Sequence, residues 1–427
     1  MATGEGRRNG ASLSAVELSY PGKKSVDEVL AMEPHTYLMR TVAGEVEVTN
    51  RLYFADNLGV LATLRNDKSI REKIKLIYID PPYATQVSFA GRNQKHAYKD
   101  LETGPAYLEA IRQRIILMHD LLAEDGSIYV HIDERMTAYL RIILDEVFGP
   151  QNFRNEIVRQ KCNPKNSTSR TLGNVTDRIL FYSKTAKYIW NRPFVEWDEA
   201  RAMKEYSYIE DETGRRYKKV PIHAPGTRNG ATGTEWRGLL PPPGKHWQYP
   251  PATLDAMDAR GEIYWSPNGN PRRKIYFDES RGIALQDLWL DVKDAHNQNI
   301  LITGYPTEKN PEILSRIISA SSNKGDIVLD AYAGSGTTLD VSSSLGRNWI
   351  GMDDSPEAIR TISQRLKYQM EKMGDFVSQD NQELPTDTLF DLAEYQATIM
   401  RQGGPVSFQL FFDAASSGMI TELMDQR

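Results

Sequence analysis

The chain has 427 residues, of which 40% are hydrophobic and 26% charged, with a formal net charge of −5. That length is too great for one simple core, so a large domain with an insertion, or two domains, is expected. No apolar run is long enough to span a bilayer, and the N-terminal MATGEGRRNGASLSAVELSY has no apolar segment behind its basic residues. The single Cys162 cannot make an internal disulfide, which fits a reducing cytoplasm. The net charge excludes a chain-wide surface for polyanions, so nucleic-acid contacts would have to be concentrated locally.

In chain order, RLYFAD (51–56) and IKLIYID (74–80) read as strands, the second running straight into Asp80-Pro81-Pro82-Tyr83. AYLEAIRQRIILMHDLL (106–122) carries Leu108, Ile111, Ile115, Met118 and Leu122 at helical spacing, with Gly126 as its stop and SIYVHID (127–133) as the next strand. From about 191 to 300 the texture becomes rich in Pro, Gly, Trp and Arg and the strand–helix rhythm is lost, the mark of an inserted recognition region. The rhythm returns with a helix capped by Asn310 and opened by Pro311, the strand DIVLD (326–330), the loop AYAGSG, a helix, the strand NWIGMD (348–353) and a helix opened by Ser355 and Pro356. The expected fold is α/β: a doubly wound, mostly parallel, Rossmann-like sheet interrupted by the insert. The expected parts are an N-terminal extension (1–49), a catalytic half (50–190), the insert (191–300), a second half (301–375) and a C-terminal tail (376–427) that is polar, then weakly apolar at VSFQLFF, and serves as an interaction segment.

Ligands of open α/β sheets sit beyond the carboxyl ends of the strands, which singles out three places. In DAYAGSGTTLD (330–340), Asp330 closes a strand and Gly334 and Gly336 let the backbone turn and approach a ligand. No Lys follows the last glycine and Leu339 holds the place of a third one, so the loop is neither a Walker A loop nor G-x-G-x-x-G, and a ligand without a pyrophosphate is favoured. A helix N-terminus suits a carboxylate, and the amino-acid end of S-adenosylmethionine offers one beside an ammonium that Asp330 can accept. A bland tight turn is the competing reading. Asp353 ends the next strand where a ribose is commonly gripped; Asp354 and Ser355 are available to cap the following helix and so leave Asp353 free.

At residues 80–83, two prolines stiffen the loop and leave a carbonyl without a competing N–H. Asp80 adds a second acceptor and Tyr83 a flat face. Two acceptors over an aromatic plate match an exocyclic NH2 of a nucleobase; an Asp-capped, Pro-rich turn is the plain alternative.

These residues resemble the amino-group DNA methyltransferases of the β class, from about residue 50 to 370. DPPY matches the catalytic motif, DAYAGSGTT is similar to the family's D-P-F-x-G-S-G-T, YPTEKNPEILSRII (305–318) to the segment before it, and YFADNLGVL (53–61) to its G-D-N element. Ala331, Tyr332 and Ala55 stand where the family carries Pro, Phe and Gly. In texture the chain is close to the modification subunits of type III restriction systems, though short for one.

The resemblance implies methyl transfer from S-adenosylmethionine to N6 of a flipped adenine in double-stranded DNA, with Asp80, Pro81, Pro82 and Tyr83 catalytic. It implies a cofactor pocket of Asp330, Tyr332, Gly334 and Gly336, with Asp353 at the ribose, Thr307 and Lys309 at the carboxylate and Asp56 near the adenine or capping a helix. A homodimer and a restriction or specificity subunit are the further partners it suggests. The rivals are N4 of cytosine, whose enzymes commonly carry Ser where Asp80 stands, an RNA substrate, and a catalytically silent DNA-binding accessory subunit. Local basic concentration occurs at Arg215, Arg216, Lys218, Lys219, Arg228 and Arg237 and at Arg272, Arg273 and Lys274, interleaved with Tyr217, Trp236, Trp247 and Trp265. That pattern suits phosphate contacts with some base or sugar contacts; a solvated face, or Trp as the core of a small insert, is the alternative. His131 and His223 have no partners at metal-ligand spacing, so no metal is expected, and VHIDE reads as strand-end packing.

Overall fold

The computed structural model describes residues 16–42, 49–82, 104–163, 170–294, 308–368 and 406–420. The chain forms two compact units, one from Met1–Pro193 with Gln286–Arg427, the other Phe194–Leu285.

The larger unit holds, in chain order, α1 (Val26–Leu30), β1 (Leu38–Val42), β2 (Arg51–Phe54), α2 (Asn57–Asn66), β3 (Ile74–Ile79), α3 (Pro105–Leu121), β4 (Leu122–Ile132), α4 (Thr137–Phe148), β5 (Phe153–Gln160) and β6 (Thr176–Ser183). The smaller unit contributes α5 (Glu199–Glu205), β7 (Tyr208–Ile209), β8 (Arg216–Pro221), α6 (Pro251–Ala259), β9 (Ile263–Trp265) and β10 (Pro271–Tyr276). The larger unit resumes with β11 (Leu288–Trp289), α7 (Pro311–Ser321), β12 (Ile327–Asp330), α8 (Thr337–Ser344), β13 (Asn348–Asp353), α9 (Pro356–Tyr368) and β14 (Phe408–Phe412). Its sheet runs β1-β14-β2-β13-β12-β3-β4-β6-β5-β11. The pairs from β14 through β4 and the β5–β11 pair are parallel, while β1–β14, β4–β6 and β6–β5 are antiparallel. This is the mostly parallel, doubly wound sheet expected from the strand–helix rhythm.

Helix α3 buries Leu108, Ile111, Ile115 and Met118 against Ile77, Ile79 and Val130, as the spacing demands. It ends at Leu121, however, and the chain enters β4 at once. Gly126 therefore does not stop the helix but lies inside the strand, where the β3–β4 register slips between Ile74 and Leu76. A Cβ there would meet the Ile74 carbonyl oxygen at 2.9 Å and the Leu122 side chain at 2.8 Å, so only glycine lets the strands pass. Helix α7 begins as read: Asn310 accepts the Glu312 N–H at 2.9 Å and Pro311 fills the first turn. VSFQLFF, expected as part of an interaction tail, supplies β14, whose Phe408, Leu410 and Phe412 pack with Trp349, Ile359, Ile362 and Leu366.

The smaller unit is a separate antiparallel sheet, β9-β10-β8-β7, beside a core of Ile222, Trp236, Trp247, Leu254, Met257 and Ile263. Among the described residues no helix is long and apolar enough to cross a membrane.

Candidate active site

Four neighbouring parallel strands, β2, β13, β12 and β3, point their carboxyl ends to one edge of the sheet. Each delivers an aspartate there: Asp56, Asp353, Asp330 and Asp80. The connection from β12 leads outward to β13 and that from β3 the other way to β4, so the winding reverses between Asp330 and Asp80. A crevice opens at such a switch point.

The glycine-rich turn after β12 is held by backbone bonds. Ala333 N donates to Met352 O at 2.9 Å and Gly336 N to Ala333 O at 2.8 Å. Gly336 sits at φ +77°, and a Cβ on it would meet Ile362 at 2.8 Å, so the position is closed to other residues on two counts. The Asp330 carboxylate accepts the Tyr332 N–H at 2.9 Å. Burial pushes its pKa up to about 7, the Thr338 hydroxyl and Tyr332 N–H pull against that, and the charges of Asp80 and Asp353 add to the rise. Burial likewise pushes half-buried Tyr332 up to about 12.

Asp353 is not left free by its neighbours. Its two oxygens accept Gly334 N at 2.8 Å and Ser355 N at 2.9 Å, clasping the glycine turn to the end of β13, while Ser355 caps α9 through Ala358 N. A carboxylate has about four acceptor sites, so capacity for further donors is left. Asp56 caps α2 through Leu58 N at 2.9 Å and pairs with Arg114 at 2.8 Å, in an exposed position.

Asp80 follows β3 directly and meets Lys309 Nζ at 2.7 Å. Both groups are mostly buried, with side chains 18% and 14% exposed. Tyr107 of α3 donates its hydroxyl to Pro82 O at 2.8 Å, which helps fix the loop from below. Tyr83 and Thr307 lie outside the described residues.

Several contributors carried no motif. Glu308 and Arg365 form an ion pair whose side chains are each 1% exposed, and Arg365 also donates to Ser335 O at 2.7 Å and Thr337 Oγ1 at 2.9 Å. The pair binds the TEKN segment to the glycine turn. Its signal was present: Arg365 interrupts the apolar stripe Ala358, Ile359, Ile362, Leu366 of α9, where a buried cation needs a partner. Asn57 donates to Ala331 O at 2.7 Å and accepts from Arg114, so the Asp-Asn-Leu element braces the same turn.

In the smaller unit the structure sorts the basic residues. Arg215 is engaged by Asp278 and Glu279, Lys218 by Glu205, Arg237 by Asp255 and Asp258, and Lys274 by Glu210. Arg216 donates to Tyr206 O and Arg273 to Tyr249 Oη. Lys219 lies 3.6 and 3.5 Å from the ring centres of Tyr208 and Tyr264; among the described residues it makes no ion pair, nor do Arg228 and Arg272. Trp236 and Trp247, each 2% exposed, are core, and Tyr217 is buried as well, so these rings are withdrawn from bases or sugars. Their size is what a small unit needs to fill its interior. Among the described residues no cluster of potential metal ligands forms.

A switch-point crevice with a glycine turn on one side and an Asp-Pro-Pro loop on the other defines a methyltransferase-type α/β site. The chain belongs to the DNA methylase family, whose N6/N4 methyltransferase model matches residues 74–364. It is 47% identical to the type II methyltransferase M.EcaI of Enterobacter cloacae over 85% of this chain and 80% of that one. It is 26% identical to the Mod subunit of the type III restriction-modification enzyme StyLTI of Salmonella typhimurium, over 74% of this chain and 52% of the relative, so it spans about half the length of that subunit. The M1.HpyAVI–SAM complex is similar at 20% identity and a TM-score of 0.39, covering 74% of this chain and 99% of that one. The protein is a DNA methyltransferase, and enzymes of this family take their methyl group from S-adenosylmethionine.

Proposed function

We propose that the protein methylates N6 of adenine in double-stranded DNA at a specific sequence. The observation that carries this reading is Asp80 at the end of β3 beside the switch point, with a carboxylate where cytosine-N4 enzymes commonly have a serine. S-adenosylmethionine supplies an electrophilic methyl group. Asp330 is suited to its ammonium, because a buried carboxylate whose pKa is raised by burial gains from a cation brought beside it. The turn at Tyr332, Gly334 and Gly336 admits the methionine end, and Asp353 retains acceptor capacity for ribose hydroxyls.

The adenine amine is a poor nucleophile because its lone pair is delocalised into the ring. Accepting its two N–H groups on Asp80 and the Pro81 carbonyl favours a tetrahedral nitrogen and frees that pair for attack on the methyl carbon; the methyl-to-sulfur bond would break as the new bond forms, the thioether would leave, and the extra amine proton would be lost after transfer. The charge that develops on nitrogen is met by the Asp80 carboxylate, an electrostatic gain confined to the transition state. Lys309 occupies one Asp80 oxygen, so the amine shares the carboxylate with this ammonium or displaces it. The base must leave the duplex to reach Asp80, at a cost of a few kcal/mol that stacking on Tyr83 offsets in part.

The smaller unit, Phe194–Leu285 and thus shorter than the 191–300 read from the sequence, acts as the target-recognition region, with Lys219, Arg228 and Arg272 its freest cations. Action in the cytoplasm, a homodimer and a restriction or specificity partner belong to the same reading; the names of the Mod-subunit relatives support the last. Digesting enzyme-treated DNA to nucleosides tests the proposal. N6-methyldeoxyadenosine is expected, and N4-methyldeoxycytidine as the sole product would replace it.

A further inference from the structure

A row of buried polar groups crosses the sheet beneath Asp80, and the chemistry above does not use it. Tyr78 of β3 shares a hydrogen bond with His131 Nδ1 of β4 at 2.7 Å. His131 Nε2 lies 2.9 Å from Asp177 Oδ2 of β6. Asp177 takes a two-pronged contact from Arg159 of β5, at 3.0 and 2.6 Å. One residue thus comes from each of four consecutive strands, β3-β4-β6-β5, and none is more than 2% exposed. Arg159 continues outward to Val292 O at 3.3 Å and Asp294 at 2.7 Å, in the stretch by which the chain leaves β11.

That stretch leads back to the site. Lys293 O accepts from Asn310 Nδ2 at 2.9 Å, and the residue before Asn310 is Lys309, the partner of Asp80. Tyr78 is two residues before Asp80 in the sequence. The groups therefore form a chain from Asp80 through Lys309, Asn310, Lys293, Val292, Arg159, Asp177 and His131 to Tyr78, every link a covalent neighbour or a polar contact, and Tyr78 lies one residue short of Asp80's own neighbour on β3.

Stability does not account for such a row. Burying an arginine, an aspartate and a histidine costs desolvation that well-packed apolar side chains avoid, so a buried ionic network is poor evidence of a stabilising role. The bidentate Arg159–Asp177 contact and the Tyr78–His131 bond do, however, fix their members in one geometry. We propose that Tyr78, His131, Asp177 and Arg159 are positioning residues that hold the Asp80 carboxylate and the Pro81 carbonyl in register for the target amine. Tyr78 is the last link, separated along β3 from Asp80 by Ile79 alone.

The test uses the full chain in excess over unmethylated genomic DNA, with tritium-labelled S-adenosylmethionine, and follows a single turnover. Tyr78→Phe removes one hydroxyl; the methyl-transfer rate should fall about tenfold while cofactor Kd and the DNA KM stay close to wild type, as expected of a displaced reacting group. Asp294→Asn, at the exposed end of the row, should slow the step less. The double variant should be no slower than Tyr78→Phe, since linked groups are not additive. An unchanged rate in Tyr78→Phe overturns the proposal, as does a loss matched by equal weakening of Kd and KM, or additive losses in the double variant. The inference rests on reading Asp80 as the amine acceptor. If Asp80→Ala keeps its rate, that reading fails; if Asp80→Ala is dead and Tyr78→Phe is unaffected, only the positioning role fails.

Discussion

The turn after β12 and the loop after β3 flank one crevice, yet they are built on different principles. The glycine turn is made rigid by its own backbone: Gly336 in a left-handed conformation, Ala333 and Gly336 bonded to nearby carbonyls, and Gly334 clasped by Asp353. The Asp80 loop is held by side chains from elsewhere, namely Lys309, Tyr107 and the row ending at Tyr78. A turn fixed by backbone presents N–H groups and a shape, which suits holding a cofactor. A loop fixed by distant side chains has its carboxylate already met by a charged group, with which a reacting amine must share it. Their carboxylates differ likewise, since Asp330 is raised to about 7 by burial while Asp80 faces a lysine.

The sharpest way to separate the two loops is Asp80→Ala. Methyl transfer should be lost by on the order of a thousandfold, the scale for removing a preorganised transition-state contact. Cofactor binding measured by calorimetry should persist, and retained activity would erase the division of labour. Glu308→Gln strikes the tie between the TEKN segment and the glycine turn. It leaves Arg365 buried without its carboxylate, a loss of roughly 3–5 kcal/mol, so a clear fall in Tm should accompany weaker cofactor binding. An unchanged melting curve would mean the turn does not depend on that tie.

The raised Asp330 gives a subtler contrast. Because its folded-state pKa of about 7 lies above the ordinary carboxylate value, the group is partly protonated at neutral pH, and a bound ammonium requires it ionised. Cofactor affinity should therefore fall as pH drops below 7, by up to about tenfold per unit. Asp330→Asn should bind weakly at every pH and lose that slope. Smallest in expectation are the cations of the smaller unit. Lys219→Ala or Arg272→Ala should weaken DNA binding and reduce its salt slope by about one, whereas Arg215→Ala, already neutralised by Asp278 and Glu279, should change the slope less. Equal effects from all three would mean that DNA draws Arg215 off its acidic partners.

The architecture was largely legible in the sequence because apolar runs, Pro311 and Asn310, and the glycines after Asp330 act within a few residues of themselves. Local rules failed where a long-range contact overrode them. Gly126 looked like a helix stop but serves a strand crossing with Ile74. Asp353 looked free because its Gly334 partner is 19 residues away in sequence. The tryptophans of the insert looked like base contacts, but composition cannot say which rings a small core will claim.

By itself, the sequence determined the sheet, the insertion and the four aspartates at strand ends, since periodicity and turn chemistry are properties of neighbouring residues. Tertiary structure alone decided what each aspartate faces: Lys309 for Asp80, burial for Asp330, two backbone amides for Asp353 and Arg114 for Asp56. The physical reason is that charge and burial depend on groups brought together from distant parts of the chain.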